Sequence, residues 1–233
     1  IEHEYKIMSR LSSLSSYCPH FCEEPEMLMC LTDSKLKKYK SPFDIVGSKP
    51  LYKPVLIEEY IKGPKLGSFI DSSTSLAVVL SAIKQVMIGI LIAHDIKFTH
   101  YDLHTDNIIL NTCSRNDVFL YILDDNTFYM VPTNGYCPKV IDYGFSYLDV
   151  VNNDSLTTSF LHTDIGYTND RFDWITDAKL FLVSVKYPLE NAYERSPEVK
   201  KLANCINNMF GKMDLDWECG WDDFEGGSLV DNL

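Results

Sequence analysis

The stretch His100-Tyr101-Asp102-Leu103-His104-Thr105-Asp106-Asn107, running into Ile108-Ile109-Leu110, decides how this chain is read. It is answered further along by Val140-Ile141-Asp142-Tyr143-Gly144. An Asp and an Asn five apart (107 − 102), in a loop that passes straight into a β-branched strand, can offer a base to a hydroxyl and an amide oxygen to a metal. A second strand ending in Asp-aromatic-Gly brings another hard oxygen, the ligand type Mg2+ prefers beside substrate phosphates. Two acids and an amide are thereby offered to one site.

Composition sets the bounds. With 233 residues, 45% hydrophobic and 23% charged, the chain can bury a real core and fits one large domain. No uninterrupted apolar run reaches the roughly 18 residues of a membrane helix. Ile1-Glu2-His3-Glu4 lacks the basic-then-apolar order of a signal peptide. These features predict an intracellular protein, cytoplasmic or nuclear, with no membrane partner. Seven cysteines, scattered without a disulfide framework, fit reduced thiols. Cys18, His20, Cys22 and Cys30 are not spaced like the ligand pairs of structural zinc fingers, so a zinc cluster is the weaker reading. A net charge of −12 argues against direct nucleic-acid binding and favours a basic protein partner.

Tyr5, Met8, Leu11 and Leu14 fall near helical period, with Glu4 on the face of Met8. Glu26 to Leu31 and Val55 to Ile61 read as strands around a basic, polar loop over 33–50, and Lys62-Gly63-Pro64 closes the second. Ser72 to Ile92 carries the longest helical signal. Val118 to Leu123 and Thr127 to Val131 predict a hairpin turning at Asp124-Asp125-Asn126. A polar loop follows Ser146 and includes Thr157, Thr158 and Ser159; Phe172 to Val185 then predicts a helix with acids in its first turn. Ser196-Pro197-Glu198 caps a last amphipathic helix, and an acidic tail with Trp217 and Trp221 ends the chain.

The paired motifs resemble the catalytic loop and magnesium loop of the protein-kinase-like superfamily, H-R-D-L-x-x-x-N followed by D-F-G. His100, Asp102, Leu103 and Asn107 match at the same spacing; Asp142 and Gly144 match, with Tyr143 replacing Phe. The resemblance runs from Glu4 to about Asp177. It implies an α+β fold with an incomplete β N-lobe over 1–61, a mainly helical C-lobe over 62–213 with an inserted hairpin near 117–131, and a tail over 214–233. ATP and Mg2+ are the implied cofactors, and Ser/Thr hydroxyls of proteins the implied acceptors. In this scheme Asp102 is the base, and Asn107 and Asp142 hold the metal. His100 braces the loop, and His104 stands where Ser/Thr kinases carry a Lys for the transferred phosphate. Glu4 takes the place of the helix Glu that pairs with a strand Lys, and backbone groups of Glu59, Tyr60 and Ile61 form the adenine-binding hinge. Either Asp173 or Asp177 matches the buried Asp that ties a helix to the catalytic loop.

The departures also inform. No G-x-G-x-x-G occurs in the 233 residues, no V-A-I-K strand precedes the first helix, and no A-P-E follows the polar loop. The expectation is that a missing N-terminal segment or a partner completes the N-lobe, or that those strands are naturally absent. The form H-x-D-L-H-x-x-N is shared with small-molecule phosphotransferases resembling aminoglycoside and choline kinases. Those enzymes insert helices between hinge and loop, whereas the 39 residues (100 − 61) here hold one long helix, which favours a protein kinase. A pseudokinase binding module is a third reading, opposed by the intact Asp102, Asn107 and Asp142. Within the superfamily the pattern is most like haspin or the kinases of large DNA viruses, and the latter imply a virus-encoded, virion-associated protein.

Overall fold

The computed structural model describes residues 1–32, 51–71, 73–153, 171–191 and 197–209. The loop expected over 33–50, the Thr157-Thr158-Ser159 cluster, the Ser196 cap and the tail with Trp217 and Trp221 lie outside them. Among the described residues, helices pack with four antiparallel strand pairs, an α+β architecture.

Helix α1, Glu2–Ser12, buries Ile7, Met8 and Leu11 on one stripe and carries Glu2 and Glu4 in its first turn, where the helix dipole favours acids. Strands β1, Glu26–Thr32, and β2, Leu51–Ile57, pair with Glu26 opposite Ile57. The second expected strand, Val55 to Ile61, is therefore corrected: it starts earlier and stops at Ile57. Pro54 sits opposite Met29 in this two-stranded ribbon, the kind of edge setting in which proline is tolerated. A short helix α2, Leu66–Phe69, was too brief to show a period.

The long helix α3 spans Leu76–Ala93, four residues later than the expected start. Before it, Asp71 accepts the Ser73 N–H and hydroxyl at 2.7 Å, and this turn uses the polar residues that looked like a helix start. By length and composition alone, the stretch Leu76–Ile96 is apolar enough to cross a membrane, although Ser81, Lys84 and Gln85 interrupt its apolar run. Its Val79, Ala82, Val86, Ile90 and Ala93 are buried in the main core of this structure.

The strands that follow frame the site. Strand β3, Phe98–Thr99, leads into the motif loop, and β4, Ile108–Thr112, leads out of it. Strands β5, Val118–Ile122, and β6, Phe128–Pro132, form a hairpin. Strand β7, Tyr136–Val140, returns beside β4, and β8, Tyr147–Leu148, pairs with β3. After the short α4, Asp149–Asn153, helix α5 covers Thr176–Asn191 and α6 covers Pro197–Met209. The expected Phe172 to Val185 helix is thus shifted: Asp173 Oδ1 accepts the N–H groups of Ile175 and Thr176 at 2.8 and 2.9 Å, fixing the start, and the helix continues past Val185 through Pro188. Helix α5 buries residues on every side, including Phe181, Val183 and Val185, and is the post on which the site loops hang.

Candidate active site

Strand register brings the two motifs together. Ile108 faces Val140, and the Ile141 N–H donates to the Asn107 carbonyl at 3.0 Å, so the loop ending at Asn107 and the loop opening at Asp142 leave the same end of one strand pair. Tyr101 and Asp142 both adopt left-handed backbone, each with φ 65°, unusual for residues with side chains, so each motif carries one such position.

The motif loop is held from below. Buried Asp177 accepts the N–H of His100 at 2.7 Å and that of Tyr101 at 2.9 Å, which settles the choice between Asp173 and Asp177. Two turns further along α5, Ser184 Oγ accepts the Thr105 N–H at 3.0 Å and donates to the Phe181 carbonyl. Ser184 was not singled out in the sequence; its signal was a hydroxyl on the same helix face as Asp177. Burial pushes the Asp177 carboxyl up to about 7, against the two N–H bonds that favour its charge. His100 is fully buried: Nε2–H donates to the Ile141 carbonyl at 3.0 Å and Nδ1 accepts the Asp102 N–H at 3.3 Å. Burial holds this imidazole below its usual range, in keeping with a neutral brace between the two motifs.

Asn107 Nδ2 donates to the Asp102 carbonyl at 2.9 Å and to the Asp102 carboxylate at 3.1 Å. The amide protons are thereby committed to Asp102, and the amide oxygen is the atom left to face a cation. His104 Nδ1 accepts the Asp106 N–H at 3.2 Å, so its proton sits on Nε2, which lies 3.7 Å from Asp102 Oδ1. Beside His104 opens a cavity of about 480 Å3, lined in part by Gly67, Ile70, Asp106 and Tyr187.

Glu4 lies beside the second motif, where its carboxylate accepts from the Tyr143 backbone. Partial burial and the nearby Asp142 and Glu58 raise its pKa; partial burial and Asp142 do the same to Glu58. Glu58 had not been singled out, because it stood within the expected strand beside Glu59 and carried no distinguishing pattern of its own. Glu4, Glu58 and Asp142 thus lie near enough for their charges to disfavour one another. Among the described residues no group of three or more His, Cys, Asp or Glu is placed to hold a metal alone. Asn107 and Asp142 carry hard oxygens of the kind that Mg2+ takes beside waters and substrate phosphates, and would be the residues to hold that ion.

The hinge-like residues divide. Glu59 pairs with Lys139 at 3.1 Å and accepts the Glu23 N–H at 3.1 Å, so its side chain locks the segment to β7. Tyr60 is 88% exposed and Ile61 is buried. The segment closes tightly on β4: the Leu110 N–H donates to the Pro64 carbonyl, and a Cβ on Gly63 would collide with the Leu110 carbonyl. Of the zinc-like cluster, His20 gives both ring nitrogens to protein partners, the Pro138 carbonyl at 2.8 Å and the Tyr121 hydroxyl at 2.7 Å.

Comparison with known proteins places the chain among viral relatives. Over 99% of its length it is 26% identical to protein 098R of Invertebrate iridescent virus 6, and over 95% it is 28% identical to protein 038R of Invertebrate iridescent virus 3. It spans 44% and 41% of those two proteins. Over 39% of the chain it is 37% identical to the probable kinase 098L of Invertebrate iridescent virus 3, covering 17% of that protein. No family model matches. The solved Rad53 kinase domain aligns over 77% of this chain and 70% of its own at 14% identity, but its TM-score of 0.34 is too low to support a fold argument. The chain therefore has a partial, distant likeness to kinases.

Proposed function

We propose that the chain is the site-bearing part of a divergent Ser/Thr protein kinase with a protein-kinase-like fold, of the kind found in haspin and in large DNA viruses. The observation that carries this reading is the Asn107 amide, bonded to both the carbonyl and the carboxylate of Asp102 while its own backbone is tied to Ile141 beside Asp142. Mg2+, when bound with ATP, would neutralise charge on the phosphates, with Asn107 and Asp142 as the residues to hold it. Asp102 accepts the proton of the substrate hydroxyl, and Asn107 and Asp142 supply oxygens to the metal. His104 turns its Nε2–H toward Asp102 and the phosphate being transferred. Glu4 awaits a cationic strand partner, and Glu59 to Ile61 meet the adenine.

Further strands, from elsewhere in a longer polypeptide or from a partner, complete the N-lobe. The exposed Leu28, Met29, Leu31 and Tyr52 on the β1–β2 pair support that part of the reading. The net charge of −12 suits a basic protein substrate, and the iridescent-virus relatives suit a virus-encoded enzyme acting inside the infected cell or carried in the virion.

One observation favours a small-molecule phosphotransferase instead: the cavity of about 480 Å3 beside His104 is of small-ligand size. A single ATP-consumption assay separates the readings, comparing histone-like and casein-like proteins with choline and aminoglycosides. Protein phosphorylation that falls about 10²-fold or more in Asp102→Asn supports the proposal. Turnover of a small alcohol but of no protein overturns it, and no turnover with any acceptor in a form with a complete N-lobe leaves the pseudokinase reading.

A further inference from the structure

The β5–β6 hairpin is apolar on both faces. Its inner face packs on α3, where Tyr121 and Val131 are buried with Ile88, and Phe119 and Ile92 lie against them. On the outer face three cross-strand pairs follow in succession: Val118 opposite Pro132, Leu120 opposite Met130 and Ile122 opposite Phe128. Antiparallel strands with one wet face alternate apolar and polar residues, whereas strands apolar at every position are normally covered on both sides. Here Val118, Leu120, Ile122, Phe128 and Met130 are 47%, 56%, 71%, 63% and 66% exposed. At about 200 Å2 for a large side chain, they present roughly 600 Å2 of contiguous apolar surface, enough to mark an interaction site.

We propose that this outer face is an interface between two copies of this chain, packed across a two-fold axis near the Leu120 and Met130 pair. Isologous pairing requires a patch complementary to itself, and an uncharged two-stranded face with similar side chains on both strands meets that need. Two such faces bury about 1,200 Å2 in total, the lower bound for a specific interface, so the dimer is reversible. Acids flank the patch, with Asp117 at its base and Asp124 and Asp125 at its turn, and each copy carries −12. The copies repel at low ionic strength, and their association strengthens as salt screens that charge. A different, basic-rimmed partner on the same face would bind less tightly as salt rises.

Sedimentation velocity over about 1 to 200 μM at low and high salt tests this by mass action, with backbone hydrogen exchange at both ends of the range to locate the contact. The expected result is a monomer–dimer equilibrium, tighter at high salt, with exchange slowed in 118–132 on dimerisation. The double variant Leu120→Ser/Met130→Ser raises the dissociation constant by about tenfold or more with an unchanged circular dichroism spectrum. Should that variant misfold, Ile122→Lys probes the same face from the hairpin end. A monomer throughout, a dimer protected elsewhere such as at β1–β2, a dimer that weakens with salt, or full association in folded Ile122→Lys overturns the proposal.

Discussion

The carboxylate of Asp177 holds the backbone of His100 and Tyr101 from 77 and 76 positions away, at 2.7 and 2.9 Å. Donors and acceptor are all sealed from water, so losing the carboxylate strands two N–H groups. Asp177→Ala is expected to cost roughly 3 kcal/mol, read as a midpoint shift in urea unfolding. A cost below about 1 kcal/mol would mean that other contacts hold the loop.

The same carboxyl makes stability depend on pH. Its folded value near 7 lies above the roughly 3.9 of an unfolded chain. Between those values the folded state binds the extra proton, so this contribution is full below about pH 4 and is lost as pH rises through about 7. Asp177→Asn cannot titrate. Wild-type stability minus that of Asp177→Asn should therefore fall from pH 4 to 7.5; a flat or rising difference would contradict the assignment.

Glu4 offers a second test with the same sign. Its pKa is raised by partial burial, Asp142 and Glu58, so its charged form is disfavoured in the fold. Glu4→Gln should raise the melting temperature at pH 8 without Mg2+, and the gain should shrink as pH falls through the carboxylate range. Added Mg2+ with nucleotide should also shrink it. A lowered melting temperature at pH 8 would show that the Glu4 charge is already balanced.

Tyr101 bears on regulation. Many protein kinases carry at this motif position an Arg that pairs with a phosphate on the activation segment. The Tyr101 side chain is instead buried, its hydroxyl donating to the Arg171 carbonyl at 2.8 Å. Replacing Thr157, Thr158 and Ser159 together by Ala should leave activity within a few-fold of wild type, as should phosphatase treatment. A tenfold fall in both, about 1.4 kcal/mol of transition-state stabilisation, would reveal a phosphorylation switch served by another cation.

The two motifs of the candidate site were legible because each is packed into a few consecutive residues. His100, Asp102, Asn107 and Asp142 need only the register of β4 on β7 to meet. Relations set by tertiary packing were not legible: Asp173 and Asp177 look alike in sequence, yet one caps α5 and the other is buried beneath the loop. Element ends were the weakest part, because Pro54 is tolerated in a two-stranded ribbon and the residues before α3 form an Asp71 turn rather than a first helical turn.

If Asn107 and Asp142 hold Mg2+ against ATP phosphates, calorimetric titration of a non-hydrolysable ATP analogue must show it. A form with a complete N-lobe should bind the analogue with Mg2+ and lose about tenfold or more in affinity, about 1.4 kcal/mol, on chelation with EDTA or in Asp142→Asn. Affinity unchanged by both treatments would contradict the assignment of Asn107 and Asp142 to a magnesium-nucleotide site.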